Sequence, residues 1–250
     1  MFLPSKYRNK PLSWWFQTPL YATRILLNKV GYDWRRYGFA SQNGEDRALA
    51  KIFKQPRGYC VEVGAFDGFS ISNTYYFEKK KRGWKCLLVE ADPVSAAKCV
   101  LNRPRSLTIA AAATNSESVG EIDFQVIEHN RAMSGVSFDD FQVSHFERHN
   151  TEFAPTKTTV TARTLDSMLE QSKFPRVDFV TIDVEGHEFS VLQGFDIARW
   201  KPTVVVLERL KSEPEPEIAA YMAQHGYEKR FHLPRNAVDD CNDFYFRIGS

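Results

Sequence analysis

The amino-acid sequence predicts an α/β fold built on a mainly parallel sheet with helices on both faces. Short apolar runs, Gly58–Gly64 (GYCVEVG), Trp84–Glu90 (WKCLLVE), Val177–Asp183 (VDFVTID) and Thr203–Glu208 (TVVVLE), have the length and continuity of buried strands. Segments with helical periodicity separate them, so successive strands need crossovers, and these are right-handed. Several of the strands end on a glycine or a carboxylate, at the edge where open α/β sheets bind ligands.

A chain of 250 residues accommodates one large α/β domain and a short accessory segment. An apolar fraction of 43% with 26% charged residues suits an ordinary core, and a net charge of +2 gives no ground for a nucleic-acid partner. Cys60, Cys86, Cys99 and Cys241 lack metal-ligand spacing. Cys60 and Cys86 lie inside strand runs as small hydrophobes, which fits a reducing compartment. No signal peptide and no run of the roughly 18–20 apolar residues that spans a bilayer is found, so the expected location is the cytoplasm.

Residues 1–38 form the accessory segment and 39–250 the main domain. The first part carries seven Lys/Arg against Asp33 alone, with a helical pattern over Leu20–Val30 that Gly31 stops. Trp14, Trp15, Phe16, Trp34 and Tyr37 make it aromatic as well as basic. Packing on the main domain or in a homodimer is the first expectation. Peripheral contact with an anionic membrane, at the inner face, is the second.

From Ser41 the elements alternate. Ser41–Phe53 opens with capping residues and continues as a helix. After the first strand, Ser72–Lys81 and Pro93–Leu101 read as helices on either side of the second, and Ser106–Ala113 as the third strand. Glu121–Glu128 alternates apolar and polar residues like a half-exposed strand. Residues 129–156, with His129, His145 and His149, show no period and read as a loop or cap over a substrate. Thr158–Arg163 is strand-like, Thr164–Gln171 a short helix, and His187–Leu192 a helix after the next core strand. Pro216–His225 is a helix stopped by Gly226, and Tyr227–Phe231 with Asp243–Ile248 form a terminal antiparallel pair.

Three motifs carry chemistry. Glu62-Val-Gly64-Ala65-Phe-Asp67-Gly68 ends the first strand in a glycine turn that lets a ligand approach the backbone. It is neither the dinucleotide GxGxxG nor a phosphate loop, and its acid suits a ligand with an ammonium group. Glu90 ends the second strand, where a carboxylate accepts hydrogen bonds from ribose hydroxyls, and Ala91-Asp92 follow it. Asp183-Val-Glu185-Gly-His187-Glu188 follows a later strand at the same edge. This cluster supplies a general base or, with Glu208, holds a divalent cation, while helix capping by Asp183 is the structural alternative.

Together with Ser41-Gln42-Asn43-Gly44-Glu45-Asp46 and Ser72-Asn73-Thr74, these motifs resemble the FkbM-type methyltransferases over residues 41–210. The resemblance implies a seven-stranded Rossmann-like class I fold with a C-terminal antiparallel strand. It also implies S-adenosylmethionine as cofactor and O-methylation of a sugar, glycan or related natural product. On that resemblance Glu62, Gly64, Ala65, Asp67 and Gly68 hold the methionine end and Glu90, Ala91 and Asp92 the ribose. Gln42, Glu45, Ser72 and Asn73 border the cofactor. Asp183 and Glu185 face the transferred methyl or organise the substrate. Apart from the resemblance, the acid cluster's position makes Asp183 or His187 the expected base, or Asp183 with Glu208 the ligands of Mg²⁺ or another divalent cation. The alternatives are a dinucleotide-dependent oxidoreductase, which the glycine pattern disfavours, and a catalytically silent binding protein anchored through residues 1–38.

Overall fold

A computed structural model describes residues 39–78, 83–138, 143–144, 154–210, 216–235 and 241–249. The accessory segment, His145 and His149 lie outside the described residues. Seven strands form the main sheet: β1 (Tyr59–Val63), β2 (Lys85–Glu90), β3 (Leu107–Ala110), β7 (Phe179–Ile182), β8 (Val204–Arg209), β9 (Tyr227–Leu233) and β10 (Cys241–Arg247). Their order is β3-β2-β1-β7-β8-β10-β9. Only β10 runs against the others, pairing antiparallel with both β8 and β9. The Rossmann-like sheet with its reversed C-terminal strand is therefore present.

A second sheet, order β4-β6-β5, contains β4 (Ala112–Ala113), β5 (Gly120–Val126) and β6 (Thr156–Arg163). The run 106–113 expected as one strand thus breaks. Ala111 N–H donates to Glu90 O, and the next two residues leave β3's sheet to pair with β6.

Helices cover both faces of the main sheet, as a parallel sheet requires. On one face, Val61, Val63, Leu87, Val89, Val180, Ile182, Val205 and Leu207 meet α4 (Leu165–Ser172), α5 (Glu188–Gln193), α6 (Ile197–Trp200) and α7 (Pro216–Gln224). On the other, Cys60, Cys86, Leu88, Phe179, Val204 and Val206 pack with α1 (Glu45–Ile52), α2 (Tyr75–Glu78) and α3 (Pro93–Asn102). All four cysteines are free and buried, as small hydrophobes are. No helix among the described residues is long and apolar enough to cross a membrane.

The two-residue period of a strand fixes where the acids go. Glu62 shares a face with Cys60, Glu90 with Leu88, Thr181 with Phe179, and Glu208 with Val206. Asp183 stands at the next alternate position just past β7. The acids of three separate motifs therefore gather on one face, at the C-terminal edge of the sheet.

Candidate active site

The turn after β1 is built around close approach. Gly64 has φ 81°, and its N–H donates to Val89 O at 3.0 Å. A Cβ at Gly64 would lie 1.7 Å from the carbonyl oxygen of Asp183, so β1 and β7 close up only because that atom is missing. Asp67 accepts from the N–H groups of Phe69 and Ser70 and from Ser70 Oγ. Asn102 Nδ2 donates to Asp67 O at 2.7 Å and Arg103 Nη1 to Gly68 O at 3.0 Å, which fastens the turn to the end of α3. Asp67 and Gly68 thus shape the turn from behind rather than line the cleft in front of it.

Glu62 is 4% exposed and its carboxylate organises the next segment. Ser72 Oγ donates to it at 2.8 Å, Asn73 N–H at 2.6 Å and Thr74 Oγ1 at 2.6 Å, and Arg103 Nη1 lies 3.9 Å away. Burial raises its pKa above the usual carboxylate range, against the pull of Arg103. Arg103 is fully buried, also pairs with Glu78, and hydrogen-bonds Ser72 and Thr74. It is a structural hub without a sequence signal. Glu90 accepts from Phe66 N–H at 2.7 Å and from Asp92 N–H at 2.8 Å, and burial pushes its pKa up to about 8.

The loop after β7 brings the remaining acids together. Oxygen atoms of Asp183, Glu185 and Glu208 lie within 4.8 Å of one another, all half-buried. Glu185 N–H donates to Glu208 Oε2 at 3.2 Å. The following helix starts at Glu188 with His187 in the N-cap position, four residues past Asp183. Glu188 shapes the loop, accepting from the N–H groups of Val184 and Gly186. His187 Nε2 sits 3.2 Å from Thr114 Oγ1, and burial lowers its pKa, which favours the neutral imidazole.

Backbone strain marks the same region. Phe66 (φ 49°), Ile71 (φ 57°) and Glu185 (φ 57°) occupy left-handed conformations that non-glycine residues avoid, and Ile71 is β-branched. Such outliers concentrate where the surrounding structure holds a functional surface in place.

These elements enclose a cleft of about 790 Å³, part of it open to solvent. Glu62, Gly64, Ala65, Ser72, Asn73, Glu90, Ala91, Asp183 and His187 line it, so most of the residues singled out in the sequence converge. Thr181 lies on the floor. Beyond Glu90 the cleft ends against Ala111, Ala112, Phe124, Ala132 and Val136, a small-residue and apolar wall drawn partly from the second sheet. Arg131, also on the wall, places Nη1 2.8 Å from both carboxylate oxygens of Asp92.

Other expected site residues stand elsewhere. Gln42 is exposed and off the cleft. Glu45 is buried and accepts from Asn43 N–H at 2.9 Å and Asn242 Nδ2 at 3.0 Å, so it fixes the 41–44 loop. Asp92 is the N-cap of α3, accepting from Val94 and Ser95 N–H. Glu185 and Glu208 lie beside Asp183 without lining the cleft. His129 is exposed and off it. The second-sheet wall and Arg131 were not foreseen, because neither carries a motif.

Among solved structures, a TehB-like SAM-dependent methyltransferase from Corynebacterium glutamicum is 12% identical, with 93% of this chain and 98% of that chain covered and a TM-score of 0.43. The O-methyltransferase from Bacillus cereus in complex with SAH is 11% identical, with 97% and 94% covered and a TM-score of 0.43. M. capricolum TrmK in complex with S-adenosyl-homocysteine is 8% identical, with 84% and 70% covered and a TM-score of 0.46. No curated protein matches the sequence significantly. The model of the methyltransferase FkbM domain matches residues 62–229, well over half of the chain, from the glycine turn to β9. The chain belongs to the FkbM methyltransferase domain family.

Proposed function

We propose that the chain is an S-adenosylmethionine-dependent O-methyltransferase acting on a hydroxyl of a sugar, glycan or related natural product. The observation that carries this reading is the single cleft in which Glu90 and the Glu62–Gly64 turn stand on the same sheet edge as Asp183 and His187. The cleft fits the cofactor on its own chemistry. Glu90 supplies a buried carboxylate at the position that takes a ribose diol, and the alanine-rich, apolar end beside it suits a flat base. The polar Glu62–Asn73 wall suits the amino-acid end.

Bound there, S-adenosylmethionine supplies a methyl group on a sulfonium, a leaving group that departs as a neutral thioether. The protein then has two tasks, alignment and proton removal. In that reaction the cleft would hold the acceptor hydroxyl in line with the methyl group, and Asp183 or the imidazole of His187 would take its proton. Both line the cleft, and His187 is held in position by Thr114.

A second reading of the reaction end is favoured by the convergence of Asp183, Glu185 and Glu208 within 4.8 Å. Three carboxylate oxygens are the hard ligands that Mg²⁺ or another divalent cation prefers, and a cation there lowers the pKa of a coordinated hydroxyl. Methyl transfer from labelled cofactor to a glycan extract tests both. D183N is expected to lower turnover by roughly 10²- to 10⁴-fold. Sensitivity of the wild type to EDTA selects the cation, and insensitivity selects the side-chain base. Full activity in D183N with EDTA present would remove Asp183 from the chemistry.

A further inference from the structure

The parallel strands of the main sheet start level with one another, at the edge opposite the cleft. Lys85 N–H donates to Gly58 O at 3.0 Å, Asp178 N–H to Tyr59 O at 2.8 Å and Thr203 N–H to Asp178 O at 2.8 Å, so β2, β1, β7 and β8 begin in one row. At about 4.8 Å per strand, these four starts span roughly 14 Å. Arg105, two residues before β3, extends the row and bonds Glu78 O at the end of α2.

This edge is basic. Lys51, Lys54, Arg57, Lys85, Lys173 and Lys201 are exposed, and none has an ion pair among the described residues. The acids nearby are already engaged: Glu78 pairs with Arg103 and Arg105, Asp178 with Arg176, and Glu170 with Arg199. The chain joins Glu78 to Gly83 through Lys79-Lys80-Lys81-Arg82, four more cations that lie outside the described residues. Lys51, Lys173 and Lys201 stand at helix C-termini, where the macrodipole favours a cation. Lys54, Arg57 and Lys85 lie outside the helices, so the dipole does not account for them. The opposite edge carries Glu62, Glu90, Asp183 and Glu208, and the net charge of the whole chain is only +2. Charge is therefore polarised along the strands. β2 alone has Lys85 at its start and Glu90 at its end, roughly 16 Å apart.

We propose that this basic edge docks the protein on an anionic phospholipid bilayer, with the cleft facing away from the surface. A row of strand starts in register is flat, as a bilayer is. Tyr59 and Phe174, the aromatic residues beside Arg176, are half-buried against each other with ring centroids 5.0 Å apart, so they are not free to stack on nucleic-acid bases. Ile248 is 63% exposed just past β10, next to Arg247, whose N–H donates to Thr203 O. It adds an apolar side chain at the same edge, which the headgroup region accepts. Each Lys or Arg close to an anionic membrane strengthens binding about fivefold, so a set of six is sufficient for reversible attachment.

Sedimentation of the full chain with vesicles of phosphatidylcholine, and of phosphatidylcholine mixed with phosphatidylserine, tests the docking. The wild type is expected to bind the mixed vesicles only, and to be released by salt at about 1 M. K54Q/R57Q/K85Q is expected to weaken binding roughly hundredfold, and K173Q/K201Q, on the β7–β8 half of the edge, roughly tenfold. K157Q/R163Q/R235Q removes three charges from other faces and is expected to stay within about threefold of the wild type. A melting curve for each variant certifies its fold; if one edge variant does not fold, the other carries the comparison. Equal loss in the edge and control variants, or full binding by both edge variants, overturns the proposal; the second result leaves residues 1–38 as the anchor. Failure of the wild type to bind the mixed vesicles, or tighter binding of a single-stranded RNA than of those vesicles at the same salt, also overturns it.

Discussion

The turn after β1 and the loop after β7 leave the same edge of one sheet, and they treat their carboxylates differently. Glu62 is 4% exposed and is tied down by Ser72, Asn73 and Thr74, with Arg103 behind. Asp183, Glu185 and Glu208 are half-buried and converge on one another. The first arrangement ties its carboxylate into the fold through three donors from one segment. In the second only Asp183 lines the cleft, with Glu185 and Glu208 gathered beside it. On the function proposed above, the β1–β2 side serves binding and the β7–β8 side the reaction.

The two regions touch at Gly64, where a substitution has the largest expected effect. G64A places a Cβ 1.7 Å from Asp183 O and forces a left-handed φ of 81° on a non-glycine residue. S-adenosylhomocysteine affinity is expected to fall at least about hundredfold, measured by calorimetry alongside a melting curve.

A smaller effect is expected at Glu90. With its pKa at about 8, Glu90 is protonated in the free protein at neutral pH, whereas ribose hydroxyl donors favour the carboxylate. Cofactor affinity should therefore rise with pH, by up to about tenfold per unit, and level off above about 8. E90Q should flatten the profile. The stability of the unliganded protein should run the other way. Between the ordinary carboxylate range and about pH 8 the folded state holds a proton that the unfolded chain has released, so stability falls as pH rises.

The smallest effect concerns a residue that the family resemblance puts near the cofactor and the structure puts in a loop brace. E45A removes the acceptor of Asn43 N–H and Asn242 Nδ2. Urea denaturation should show a loss of about 1–3 kcal/mol, with S-adenosylhomocysteine affinity held within about threefold.

The binding side was the more legible in the sequence. Its core strands are continuous apolar runs, and the period of two places Glu62 and Glu90 on one face as soon as the strands are recognised. Gly64 and the Asp183 motif followed from their positions at strand ends. Non-local partnerships were not legible. The break that sends Ala112 and Ala113 to the second sheet falls within a run of alanines, where no glycine or proline marks a turn. Arg103 reads as a surface residue by hydropathy. It is buried because Glu62 and Glu78, from different elements, surround it. Glu45 and Asp92 carried the right residue types for a site but serve as local caps and braces, a use that the same short polar patterns serve equally well.

If the Glu62–Glu90 end of the cleft is a preformed site for S-adenosylmethionine, calorimetric titration of the whole chain will show one-to-one binding of S-adenosylhomocysteine. G64A is expected to weaken that binding and D183N to leave it untouched, and NAD is expected to give no measurable heat. Binding of NAD without S-adenosylhomocysteine would rule the site out.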